Sequence, residues 1–229
     1  MRDRMDINTG KLRLTFEIIG CFAVIYMVKA FTEWLPPALN IADSLWWGVV
    51  FFALTTAAIL AYVVCVEKKP LRSIGLSRLT VHDLGAGVVL GIVSFCVQQI
   101  PFLAMGIDYK QFAAPPDWPQ LLITFAYILL CVGVGEEIAF RGFILHKSNE
   151  LFHSRIIAVF LNCVLFYMLH WPPIRFVFGE FFSTSLNSII WSIYLFRSRK
   201  QSIVPLIIAH GIYDLFTSLF PVIVYYICS

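Results

Sequence analysis

Gly133-Val134-Gly135-Glu136-Glu137-Ile138-Ala139-Phe140-Arg141-Gly142 sets two adjacent carboxylates and a guanidinium inside an apolar run. The run extends over roughly 119–148, and about 20 mostly apolar residues suffice to cross a bilayer as a helix. Charges at membrane depth cost a few kcal/mol each on insertion scales, so each must be neutralised or put to use. What the two glutamates are for is the question the rest of the chain has to answer.

The surrounding composition agrees with a membrane setting. Of 229 residues, 59% are hydrophobic and 14% charged, against about 25% charged in soluble domains. Mean hydropathy is +0.81. Candidate spans fall at roughly 14–34, 44–66, 83–104, 119–148, 155–171, 178–196 and 203–226, seven in all. The fold expected is all-α, a polytopic membrane helical bundle with a membrane-embedded polar cavity. Residues 1–118 would supply three N-terminal spans and 119–229 a four-span core. Pro36-Pro37, Pro115-Pro116 and Pro172-Pro173 break the chain between spans.

The net charge of +3 does not suggest a nucleic acid partner. Cys21, Cys65, Cys96, Cys131, Cys163 and Cys228 are dispersed without a CxxC pair, so they read as small apolar residues rather than disulfides or a zinc site. The basic N-terminus lacks a small-residue cleavage site, which predicts a retained first helix rather than a signal peptide. Basic residues gather at the N-terminus, at 67–82, at 147–155 (Lys147, Arg155) and at 197–202, while the opposite loops hold only Lys110 and Arg175. The positive-inside rule then puts the N-terminus in the cytoplasm and, after seven spans, the C-terminus outside. Trp34, Trp46, Trp47, Trp118 and Trp171 fall at the other face, as an aromatic belt would. Segment 70–82 is either an interfacial stretch or a basic loop with a few buried anchors.

Polar residues deep in the spans are few. Glu137 and Arg141 are four apart, share a helical face and neutralise each other. Glu136 is turned about 100° from Glu137 and needs a partner from another helix. Spans 119–148 and 155–171 form an antiparallel hairpin turning near 153. At about 1.5 Å per residue, Glu136 and His170 both lie roughly 25 Å from that turn. A carboxylate beside an imidazole in a low-dielectric site can activate water. Phe166, one turn before His170, would hold the imidazole. His210 and Asp214 are again four apart on one face, suited to stabilising an oxyanion. Gly133 and Gly135 would allow close helix approach. The polar stretch 144–153 is expected to project past the membrane, opening the site toward the cytoplasm. Glu17 reads as interfacial, and Gln98 and Gln99 either line the cavity or bond between helices.

Glu136-Glu137-x-x-x-Arg141, Phe166-x-x-x-His170 and His210-x-x-x-Asp214, each in its own span, resemble the three motifs of the CPBP (Abi) family. That family includes the CAAX prenyl endopeptidases of the Ras-converting type and bacterial relatives linked to bacteriocin processing and self-immunity. The resemblance covers roughly 119–226. It implies an intramembrane endopeptidase with Glu136 and His170 activating the water and His210 and Asp214 stabilising the oxyanion. Glu137, Arg141 and Phe166 would support them. The last motif position is often Asn, and Asp214 departs from that; an ionised Asp cannot donate to an oxyanion, so Asp214 either orients a protonated His210 or is itself protonated at depth, and His210 is the safer main donor. The resemblance implies a membrane-associated or lipidated protein substrate, and the short chain with little soluble extension fits a prokaryotic cell membrane better than a eukaryotic one. It implies no required cofactor.

Each residue also has a bland reading. Glu137–Arg141 alone is a structural ion pair, His170 an interfacial residue at a helix end, and His210 a bonded core histidine. Three other functions use the same residues. Two histidines and a glutamate form a common Zn2+ set, although HExxH is missing. Buried Glu and His also make proton relays, so a proton-coupled transporter is possible, against which stands the lack of inverted repeats. A non-catalytic scaffold or immunity protein could bind a peptide in the same cavity.

Overall fold

The computed structural model describes residues 2–38, 45–104, 108–170 and 178–228. Trp171, Pro172-Pro173 and Arg175 lie outside them. Among the described residues there are seven helices and no strand: α1 Arg2–Ala38, α2 Leu45–Ala61, α3 Val81–Ala104, α4 Trp118–Phe152, α5 Arg155–His170, α6 Phe178–Arg197 and α7 Val204–Cys228. In lipid, a backbone must satisfy its own polar groups, and helices do so within one segment. The seven helices fall where seven spans were expected. Stretches of five, in α1, α2, α3, α4 and α7, are long and apolar enough to cross a membrane. This is an integral membrane protein.

The helix ends follow local chemistry. Pro36 and Pro37 sit in the last turn of α1, which stops at Ala38. Thr80 and Asp83 cap α3 reciprocally: the Thr80 Oγ1 accepts from the Asp83 N–H at 3.2 Å, and Asp83 Oδ2 accepts from the Thr80 N–H at 3.0 Å. Asp117 Oδ1 accepts from the Gln120 N–H at 3.1 Å and starts α4. His153, at φ 49°, ends it, near the turn expected from the sequence.

The chain divides into two units. The first comprises Met1–Ser77 and Gly135–Ile203, with α1, α2, α5, α6 and the C-terminal part of α4. Segment 70–77 here is the loop with buried anchors. Leu71–Ile74 forms a short 3-10 turn closed by Gly75 at φ 76°. A Cβ at Gly75 would lie 2.6 Å from the Gln201 carbonyl oxygen, so glycine is required twice over. The Gly75 carbonyl accepts from the Ile203 N–H at 2.9 Å, tying this loop to the end of the segment after α6.

The second unit comprises Arg78–Val134 and Val204–Ser229, with α3, the N-terminal part of α4, and α7. Gly87 and Gly91 of α3 face α7 directly. A Cβ at Gly87 would lie 2.7 Å from the Pro205 carbonyl oxygen, and one at Gly91 2.7 Å from that of Ala209. This is close packing of small residues, with i and i+4 glycines on one face. The Tyr213 hydroxyl donates to Gln98 across the same pair, so Gln98 bonds between helices.

Two sequence expectations need correction. α4 is not a uniform α-helix. Ile128–Val132 and Glu137–Ile144 are π-helical, with i→i+5 bonds such as Leu145 N–H to Phe140 O. Regular 100° spacing therefore does not describe the Glu137–Arg141 turn, and single π-turns are frequent at functional sites. Lys147 is also not part of a turn, and it meets Glu17 inside the protein. Both are buried, and Lys147 lies inside α4 rather than in a basic turn. Lys147 Nζ stands 2.7 Å from Glu17 Oε2 and 2.5 Å from Glu67 Oε1. Arg13 Nε donates to Glu17 Oε1 at 2.8 Å, the Tyr62 hydroxyl donates to the same oxygen at 3.0 Å, and Lys69 pairs with Glu67 at 3.1 Å. Mutual pairing is what makes burial of these charges tolerable. It also explains how the polar stretch after Ile144 packs against α1.

Candidate functional site

In the first unit, the π-helical turn of α4 places Glu137 and Arg141 in full burial, both at 0% exposure. Arg141 Nη1 donates to Glu137 Oε1 at 2.9 Å. The guanidinium lies between two rings, 4.5 Å from the Phe166 centroid and 5.2 Å from that of Trp191. Aromatic faces attract a desolvated cation, so both rings add to the carboxylate. The Arg141 carbonyl, at the end of the wide turn, accepts from His146 Nδ1 at 2.8 Å.

Glu136 is the residue before this turn and is also buried. His170, the last described residue of α5, brings its Nε2 to 3.7 Å from Glu136 Oε1. Its side chain is 37% exposed. His170 Nδ1 lies 2.9 Å from the Phe166 carbonyl oxygen. A carbonyl only accepts, so Nδ1 carries the hydrogen, and Nε2 is the nitrogen turned to Glu136. The Phe166 ring touches three neighbours: Phe140 edge-on at 4.9 Å, His170 at 4.6 Å and Arg141. Phe166 thus orients His170 through both its ring and its carbonyl.

At 3.7 Å, Glu136 and His170 are too far apart for a direct hydrogen bond, and near enough to share a water. Glu136 also borders a cavity walled by Phe51, Phe52, Thr55, Phe140 and Leu169, which leaves about 10 Å³ for the centre of a water molecule. That is about one water. Gly135 faces the Phe52 ring here, where a Cβ would lie 2.6 Å from it, whereas Gly133 faces the Ile207 backbone within the second unit.

His210 and Asp214 lie on α7, in the second unit. His210 is buried, and its Nε2 stands 3.4 Å from Asp214 Oδ2. Among the described residues, no three His, Cys, Asp or Glu side chains gather as a metal-ligand set.

The structure brings together Glu136 with His170, Glu137 with Arg141, Arg141 with Phe166, and His210 with Asp214. Sequence reasoning missed Trp191. Its signal was its position: the other tryptophans sit near span ends, and Trp191 sits well inside α6, buried.

The helical membrane protein thus holds a buried carboxylate, an imidazole facing it and a paired Glu–Arg one turn on. Residues 118–216 match the family model described as Rce1-like, type II CAAX prenyl endopeptidase. Over this stretch, less than half of the chain, the protein is similar to that CAAX-type protease family. No curated protein and no solved structure matches the chain.

Proposed function

We propose that this protein is an intramembrane endopeptidase that hydrolyses a peptide bond near the C-terminus or leader of a membrane-associated or lipidated substrate. The observation that carries this reading is the juxtaposition of Glu136 and His170 inside a stretch of the CAAX-type family. Glu136 takes a proton from the water it shares with His170 Nε2, and the water oxygen attacks the scissile carbonyl carbon. The Glu136 carboxylic acid then returns the proton to the departing amine, so one water is consumed and the residues are restored. Two acceptors facing one water orient its lone pair outward, while the apolar wall from α2 and α5 keeps other water out. The family motif gives His210 the role of oxyanion donor, with Asp214 orienting its imidazole.

This chemistry needs a carboxylate, an imidazole and water, and no cofactor. Stoichiometric zinc in the purified protein, lost together with activity on chelation, would replace the scheme with a metal one. The distribution of basic loops supports a cytoplasmic N-terminus and, after seven spans, an external C-terminus. The test of function is proteomics of cleaved termini in cells carrying the wild-type chain against cells carrying Glu136→Ala. Termini from membrane-associated proteins should appear only with the wild type. Identical terminal profiles would contradict the reading.

A further inference from the structure

α5 and α6 run antiparallel, so the first residue of one and the last residue of the other, Arg155 and Arg197, come to the same end. Between the helices lies a groove of about 510 Å³. Ile156, Phe160, Ile189 and Ile193 form its rims and are exposed, Ile156 by 83% and Phe160 by 64%. Phe181 lines the groove as well. From there to Arg197, α6 rises about 24 Å, more than half the thickness of a roughly 30 Å hydrocarbon core. Among the described residues, no acid lines the groove. Arg155 rests on the Phe196 ring at 5.3 Å, and among the described residues neither arginine pairs with a carboxylate. Arg199 and Lys200, both exposed, follow directly.

A second groove of about 510 Å³, between α1 and α2, makes the contrast. It too has an arginine at its edge, but Arg13 there is bound to Glu17 at 2.8 Å. Its charge is answered inside the protein. Among the described residues, no carboxylate answers the charge at the α5–α6 groove.

The geometry points to a site for one anionic phospholipid, its phosphate between Arg155 and Arg197 and an acyl chain along the groove toward Phe181. Among bilayer components, this is the one that joins a negative headgroup to a chain long enough for the groove. Basic pockets between membrane helices recognise anionic headgroups by the same combination. The site is separate from Glu136 and His170 and does not depend on whether the protein cleaves anything.

The test uses the full chain, delipidated and reconstituted with an equimolar mixture of phosphatidylglycerol and phosphatidylcholine, with retained lipid measured by mass spectrometry. Two arginines near a headgroup correspond to an enrichment of phosphatidylglycerol of roughly thirtyfold. Arg155→Gln with Arg197→Gln should bring that ratio close to one, and Arg155→Lys with Arg197→Lys should keep it. Ile189→Trp, which fills the groove, should release the lipid with both arginines in place. If the double Gln variant does not fold, Arg197→Gln alone and Ile189→Trp carry the test. Equal retention of the two lipids by the wild type would overturn the site, as would enrichment that survives loss of both arginines. Heat protection by glycerol phosphate as strong as that by phosphatidylglycerol would overturn it too, since the chain would then contribute nothing.

Discussion

His170 Nε2 stands 3.7 Å from Glu136 Oε1, and the other ring nitrogen is held by the Phe166 carbonyl at 2.9 Å. The carbonyl fixes the tautomer, and the tautomer leaves Nε2 for the carboxylate and its water. His170→Ala should lower kcat/KM by at least about a hundredfold, the range for losing a positioned acid–base group. The His170 side chain is partly exposed, so the thermal transition of the variant should stay close to wild type. Steady-state cleavage and differential scanning fluorimetry on the same preparation check both halves.

The Glu137–Arg141 pair is argued to be structural, and a double-mutant cycle tests that. Glu137→Leu or Arg141→Leu alone leaves one buried charge without its partner and should destabilise by about 3–5 kcal/mol. Glu137→Leu with Arg141→Leu should recover much of the loss, because no buried charge remains. Unfolding in mixed micelles measures it. A double variant as unstable as the sum of the singles would show that the two side chains do not act as a pair.

How much of this was legible in the sequence differs by feature. The seven helices were readable because apolar runs of membrane length leave the backbone few alternatives. The Glu136–His170 meeting was readable because two helices joined by one turn have a common zero of depth, and helical rise does the rest. The Glu17–Lys147–Glu67 cluster was not readable. Its members come from α1, from the end of α2 and from α4, and nothing local marks a lysine near a turn as buried. Trp191 belongs with it, since its contact with Arg141 exists only after α6 packs. The π-helical turn escaped because a period of 3.6 was assumed throughout α4, and no residue in Glu137–Ile144 announces an i→i+5 bond.

Lys147 is the cation on which two carboxylates converge. Lys147→Met should destabilise the first unit by about 3 kcal/mol, somewhat softened by Arg13 and Lys69, while Lys147→Arg keeps most of the stability. The same unfolding assay distinguishes them. Equal stability of Lys147→Met and wild type would mean that the cluster is not coupled to folding.

Gly142 passes close to the loop before α3. A Cβ there would lie 2.8 Å from the Ile74 carbonyl oxygen and 3.3 Å from Ile203, whereas one at Gly20 meets nothing within 4 Å. Gly142→Ala should cost about 1–3 kcal/mol, as overpacking does. Gly20→Ala should cost nothing measurable. Thermal unfolding of the two single variants side by side gives the comparison.

The central claim is that the Glu136 carboxylate activates the water. Its most direct test is single-substrate cleavage by purified Glu136→Gln, a substitution that keeps shape and removes the base, with insertion and the thermal transition matched to wild type. The account predicts a loss of at least about a hundredfold in kcat with the protein intact. Cleavage at the wild-type rate by folded Glu136→Gln would contradict it.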